Sequence, residues 1–99
     1  MRRRTVASDR AHDARVQRVY GLRPGEYAEM YEAQDGRCAI CMNKSITLRL
    51  AVDHNHTTGK VRALLCRRCN RALGLVEYEP IRVHNLILYL QNILDDFNE

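Results

Sequence analysis

The 99-residue chain has no run approaching the roughly 18 apolar residues that a membrane span needs. Its first residues, "MRRRTVASDRAHDARVQRVYG", start basic but are followed by no apolar stretch of the kind a secretory signal carries. These two absences point to the cytoplasm. The chain also shows no internal repeat and no low-complexity linker, which excludes a solenoid and a tethered pair of domains. At this length a folded chain hides only about 60–65% of the surface its unfolded form exposes. Its core is therefore marginal, and chains of this size often rely on a disulfide, a metal or a partner subunit.

Acidic residues are absent from residues 60 to 71, which carry Lys60, Arg62, Arg67, Arg68 and Arg71. Residues 1 to 23 carry Arg2, Arg3, Arg4, Arg10, Arg15, Arg18 and Arg23 against only Asp9 and Asp13. Residues 77 to 99 are acidic, with Glu77, Glu79, Asp95, Asp96 and Glu99 against Arg82 alone. The formal net charge is +4. Arginine grips phosphate oxygens with a planar fork of donors, so a basic face rich in arginine suits a polyanion such as DNA.

Four cysteines stand in two pairs, Cys38 with Cys41 and Cys66 with Cys69, separated by 24 residues. In a reducing compartment such pairs bind metal far more often than they form disulfides. Two residues between cysteines let both sulfurs of one turn face one ion, and two such turns complete a tetrahedral thiolate set for Zn²⁺. A site with four protein thiolates has no open position, so any catalysis must come from other groups.

The stretch "VDHNHTTGKVRALLCRRCN" supplies those groups. Asp53, His54 and His56 stand where a first strand turns, and Gly59 suits the turn because glycine accepts positive φ. "ITLRLAV" alternates, with Leu48, Leu50 and Val52 on one face, and "VRALLC" returns, which predicts a hairpin. Within the first strand, His54 and His56 share a side and Asp53 points elsewhere unless the turn twists. Asn70 follows the last cysteine. A hard divalent cation takes oxygen ligands, which Asp53 and Asn70 offer. A histidine beside it suits a general base for water, and the neighbouring arginines suit phosphate. Singly, each residue has an ordinary explanation as a solvated histidine, a turn carboxylate or a helix cap. Their combination beside a metal knuckle and a basic helix points to metal-assisted phosphodiester hydrolysis.

The remaining elements are predicted as helices. Residues 1 to about 7 read as a disordered basic arm, followed by a helix from Ser8, able to cap it, to about Val19. A second helix has Pro24 in its first turn, Gly36 at its exit, and Tyr27, Met30 and Tyr31 as one packing stripe. "RRCNRALGL" predicts a short helix stopping near Gly74. From Pro80 a long helix lines Ile81, Leu86, Leu90, Ile93 and Phe97 on one side, with Ile87, Leu88 and Leu94 widening the stripe. Such a helix is either deeply buried or meets another subunit.

"LAVDHNHTTGKVRALLCRRCNRALGL", preceded by "YGLRPGEYAEMYEAQDGRCAIC", resembles the recombination endonuclease VII family of phage HNH (ββα-metal) nucleases over roughly residues 20 to 90. The resemblance implies a small α+β fold: a zinc-stapled treble-clef or ββα-metal core of hairpin plus short helix, with flanking N- and C-terminal helices. It divides the chain into a basic arm or helix over 1–19 and an HNH domain over 20–99. It implies structural zinc on Cys38, Cys41, Cys66 and Cys69, and catalytic Mg²⁺ or Mn²⁺ on Asp53 and Asn70. His54 becomes the general base and His56 an assistant at the phosphate or leaving group, with 5′-phosphate and 3′-hydroxyl products. The expected activity is a DNA endonuclease with weak sequence specificity, contacting phosphates through Lys60, Arg62, Arg67, Arg68 and Arg71.

Three scaffold positions depart from the family pattern. Met42 replaces a frequent Gly, leaving Asn43 to take the left-handed position or the turn to loosen; Ala63 replaces a strand Gly; and Arg23 replaces a capping Thr. Competing readings are a dimeric Holliday-junction or branched-DNA resolvase joined through residues 80–97, a non-catalytic zinc DNA-binding module, and a zinc protein-interaction module. Phage packaging or recombination proteins are candidate partners.

Overall fold

A computed structural model describes residues 6–45 and 48–97. Most of the expected basic arm, including Arg2, Arg3 and Arg4, lies outside the described residues, as do Ile46 and Thr47 at the start of the expected first strand. The element order is α1 (Val6–Tyr20), α2 (Glu26–Ala33), β1 (Ala51–His54), β2 (Val61–Leu65), α3 (Arg67–Val76) and α4 (Pro80–Phe97). This is the small α+β arrangement expected: one antiparallel hairpin followed by a short helix, with helices on either side.

The local boundaries differ from expectation where backbone conformation overrides residue preference. Ser8 lies inside α1, which already runs from Val6, and its hydroxyl accepts from Arg49 Nη2 at 3.2 Å. Pro24 sits in the turn ahead of α2, whose N-cap is Gly25. Gly36 does end the α2 turn, with φ +66 and its N–H on the Tyr31 carbonyl at 2.9 Å. The positive φ favours glycine there, and a Cβ would also have to displace the Tyr31 hydroxyl end, 2.9 Å away. In the knuckle, Met42 itself takes the left-handed conformation (φ 64), in place of the two expected alternatives, a left-handed Asn43 or a looser turn. The Met42 N–H closes on the Cys38 carbonyl at 3.0 Å, a bond that helps offset the steric cost. Helix α3 runs through Gly74 to Val76. The sequence end signal is overridden because the turn continues, with the Glu77 N–H reaching the Leu73 carbonyl at 2.8 Å.

β1 is shorter than the alternation implied, and Leu48 is exposed while Leu50 and Val52 are buried. The pairing runs Ala51 with Leu65, Val52 with Leu64 and Asp53 with Ala63, then shifts so that His54 opposes Val61. Arg62 is thus an extra residue on β2, a bulge of the kind that re-aims a side chain. The core gathers around the hairpin: Val16 from α1, Leu22, Tyr27 from α2, Cys38, Leu50, Val52, Leu64 and Leu65. The Tyr27 hydroxyl donates to the Leu50 carbonyl at 2.7 Å. Gln34 staples the end of α2 to β2: its amide nitrogen donates to the Arg37 and Leu64 carbonyls, and its oxygen accepts from the Leu64 N–H at 2.9 Å.

Helix α4 packs on α3. Within the chain it is not deeply buried, because Ile81, Leu86, Ile87, Leu88, Leu90, Ile93 and Leu94 all remain exposed. Among the described residues, no helix is long and apolar enough to cross a membrane.

Candidate metal centre and candidate active site

The zinc knuckle is assembled from two turns that the fold presses together. The first hangs on the edge of β2: the Ala39 N–H donates to the Leu64 carbonyl and the Cys38 N–H to the Asn43 carbonyl, at 3.1 and 3.0 Å. The second is the start of α3, where Cys66 is extended, acts as N-cap, and accepts the Cys69 N–H on its sulfur at 3.4 Å. The four sulfurs, of Cys38, Cys41, Cys66 and Cys69, lie within 4.8 Å of one another, and those of Cys41 and Cys66 are 4.0 Å apart. A tetrahedral zinc site with bonds of about 2.3 Å has sulfur–sulfur edges of about 3.8 Å, so the set fits the ion with small adjustments.

The thiol chemistry points the same way. Burial pushes the Cys38 thiol up, but backbone hydrogen bonds from Cys41, Cys66 and Ile40 outweigh it and bring it down to about 6. Burial, with the sulfurs of Cys66, Cys38 and Cys41 close by, pushes Cys69 up to about 12. Cys38 ionises readily, and Cys69 then resists a second charge. A cation at the centre removes that conflict.

On the other side of the hairpin, Asp53 and His54 end β1. Asp53 is buried, 7% exposed, and both of its oxygens accept from Arg62, Oδ2 from Nε at 2.8 Å and Oδ1 from Nη2 at 3.0 Å. Arg62 Nη2 also reaches the Glu77 carboxylate at 2.9 Å and the His54 carbonyl at 3.3 Å. Hydrogen bonds to Asp53 and then Glu77 hold the guanidinium well above its ordinary pKa, so it stays charged. Arg62, singled out from the sequence as a phosphate contact, is therefore engaged inside the site by two carboxylates.

His54 is half-buried, and its ring lies 5.3 Å from Tyr20 and 4.6 Å from His56, centroid to centroid. The two histidines thus meet, as i and i+2 neighbours can. His56 stands on the exposed turn, which Asn55 braces by accepting the Thr57 and Thr58 N–H groups at 2.8 and 3.0 Å. Asn70 lies one turn into α3, its N–H on the Cys66 carbonyl at 2.9 Å, and α3 packs against both strands. Lys60, Arg67, Arg68 and Arg71 are exposed and form no ion pair among the described residues.

Helix α3, which carries Asn70, packs against β1, which carries Asp53. A carboxylate has about four acceptor positions, and Arg62 occupies two, so Asp53 retains capacity for a cation. Sequence reasoning missed Glu77, Tyr20 and Gln34. Each acts on a residue far along the chain, and no local spacing announces such a contact.

Residues 13–92 match the family described as recombination endonuclease VII. The Gene 59 protein of Mycobacterium phage L5 is 45% identical over 69 residues, 69% of this chain and 42% of that protein. The Gene 59 protein of Mycobacterium phage D29 is 42% identical over the same shares. The chain thus spans about 42% of the length of these curated relatives. Among solved structures, the ββα-Me type II restriction endonuclease Hpy99I superposes with a TM-score of 0.51 at 30% identity, covering 81% of this chain and 48% of that one. With the family match spanning the hairpin, both cysteine turns and most of α4, the chain belongs to the recombination endonuclease VII family.

Proposed function

We propose that this protein is an HNH-type endonuclease that hydrolyses DNA phosphodiester bonds with a divalent metal. The observation that carries this reading is the end of β1: a buried Asp53 and the paired rings of His54 and His56, on a hairpin packed against α3 and its Asn70. Asp53 and Asn70 would hold Mg²⁺ or Mn²⁺, which when bound supplies Lewis-acid stabilisation of charge on the phosphate. His54 takes the proton from the attacking water, and its contacts with Tyr20 and His56 limit how its ring can turn. His56, on the exposed side, meets the phosphate or leaving group. Lys60, Arg67, Arg68 and Arg71 hold the neighbouring backbone phosphates, which fixes register without reading bases. Structural zinc on the four cysteines keeps α3 against the hairpin.

A second reading, a dimer acting on branched DNA, is favoured by the exposed apolar side of α4. Leu86, Leu90, Ile93 and Leu94 recur at helical spacing there and suit a second copy of the chain. Phage recombination or packaging proteins remain proposed partners on the strength of the family.

The test is nicking of supercoiled plasmid in Mg²⁺ or Mn²⁺ by zinc-replete wild type and His54→Ala. Loss of a general base costs about 10²–10⁴-fold in rate. Equal cutting by both proteins would remove His54 from its role. Binding without cutting by either would favour a non-catalytic DNA-binding module.

A further inference from the structure

Two carboxylates surround one guanidinium at the candidate site. Arg62 bonds Asp53 through Nε and Nη2, and Nη2 also bonds Glu77. The Asp53 and Glu77 side chains are only 9% and 7% exposed, and that of Arg62 is 35% exposed. Glu77 is held from behind, because it directly follows α3 and its N–H closes on the Leu73 carbonyl at 2.8 Å. The β2 bulge puts Arg62 out of the ladder and in reach of both acids.

The charges decide what this arrangement does. Asp53 and Arg62 alone form a neutral pair with nothing to attract a cation. With Glu77 the guanidinium is shared, so Asp53 is not its sole counter-ion. Glu77 also gives the guanidinium a second anchor, so a cation approaching Asp53 does not have to strip a fully committed counter-ion from it. We propose that Glu77 is a positioning residue of this site: acting through Arg62, it holds the Asp53 carboxylate oriented and electrostatically open to a divalent ion. This rests on the reading of Asp53 as a metal-holding residue.

The test measures Mn²⁺ binding by the zinc-loaded full chain without DNA, from the electron paramagnetic resonance of the free ion. Glu77→Gln keeps the size and removes the charge. The expected result is a rise in Kd on the order of tenfold, the lower end of what losing a residue that orients a metal ligand costs. In an Arg62→Gln background the same Glu77→Gln change should alter Kd by less than about threefold, because Glu77 acts through the guanidinium. If Arg62→Gln fails to retain zinc, Arg62→Lys replaces it as background, since an ammonium keeps the charge but lacks the fork that spans both acids. The same collapse of the Glu77 effect is expected there.

An unchanged Kd for Glu77→Gln overturns the proposal. So does an equal loss in both backgrounds, which would mean that Glu77 acts on the ion directly or through general structure. Asp53→Asn is measured alongside. If it leaves Mn²⁺ affinity intact, the reading of Asp53 as a ligand fails and the proposal falls with it. That outcome is distinct from a failure of Glu77 alone, in which Asp53→Asn abolishes binding.

Discussion

Removing the knuckle metal should unfold the protein around its hairpin. The buried hydrophobic core among the described residues has eight members, and one of them is Cys38, itself a sulfur of the knuckle. A chain of this length has a net stability of about 5–15 kcal/mol. Structural zinc in small domains contributes about 10–16 kcal/mol of apparent binding free energy at neutral pH. The metal term therefore matches or exceeds the whole net stability. The structure explains the coupling, because the Cys38 turn hangs on β2 by the Ala39–Leu64 bond while Cys66 and Cys69 start the helix that packs on both strands. The assay is thermal unfolding by circular dichroism of zinc-loaded and chelated protein, with zinc content measured in each. Chelated protein should lose its cooperative transition, and Cys38→Ser should retain less zinc than Cys41→Ser, since Cys38 is fully buried and Cys41 is exposed. In a domain of this size about 1 kcal/mol moves Tm by about 4–8 °C. A chelated protein that melts cooperatively within that interval of the loaded form would refute the reasoning, because zinc would then contribute no more than about 1 kcal/mol.

Gln34→Ala should lower stability by about 1–3 kcal/mol in chemical denaturation, because it strips three hydrogen bonds joining α2 to the knuckle and β2. DNA affinity should fall as salt rises. Arg68→Ala should weaken binding about equally on unrelated sequences and reduce the slope of log K against log salt by about 1, as measured by fluorescence anisotropy. If α4 joins two copies, Leu90→Asp should turn a dimer into a monomer in analytical ultracentrifugation without loss of zinc. A wild type that sediments as a monomer at every concentration would rule out that use of the exposed face.

The metal knuckle was legible because its signal is local and chemical. Two C-x-x-C pairs admit few arrangements, and the four sulfurs meet as the spacing implies. The hairpin was legible from its alternation and its glycine turn, and Gly59 has a positive φ of 77 in the loop between β1 and β2. His54 and His56 do meet, although His56 stands in the turn beyond the end of β1 and not on the strand. Helix ends were read less well. Ser8, Pro24 and Gly74 each carry a familiar end signal, yet the chain carries the helix past or short of it. Such signals are worth about 1 kcal/mol, and packing over several turns outweighs them.

The amino-acid sequence by itself determined the four thiols in two pairs that meet at the knuckle, and it marked Asp53, His54, His56 and Asn70 as the candidate groups of the proposed active site. It could not determine who holds whom across space. The pattern offered Arg62 as one more cation for phosphate, whereas a single bulge in β2 turns it inward to Asp53. Glu77, read as part of an acidic tail, becomes the second anchor of that arginine, 15 positions along the chain. A bulge depends on the register between two strands, and an ion pair on how a helix docks against them. Both are set by packing across the whole fold and leave no mark at the residues concerned.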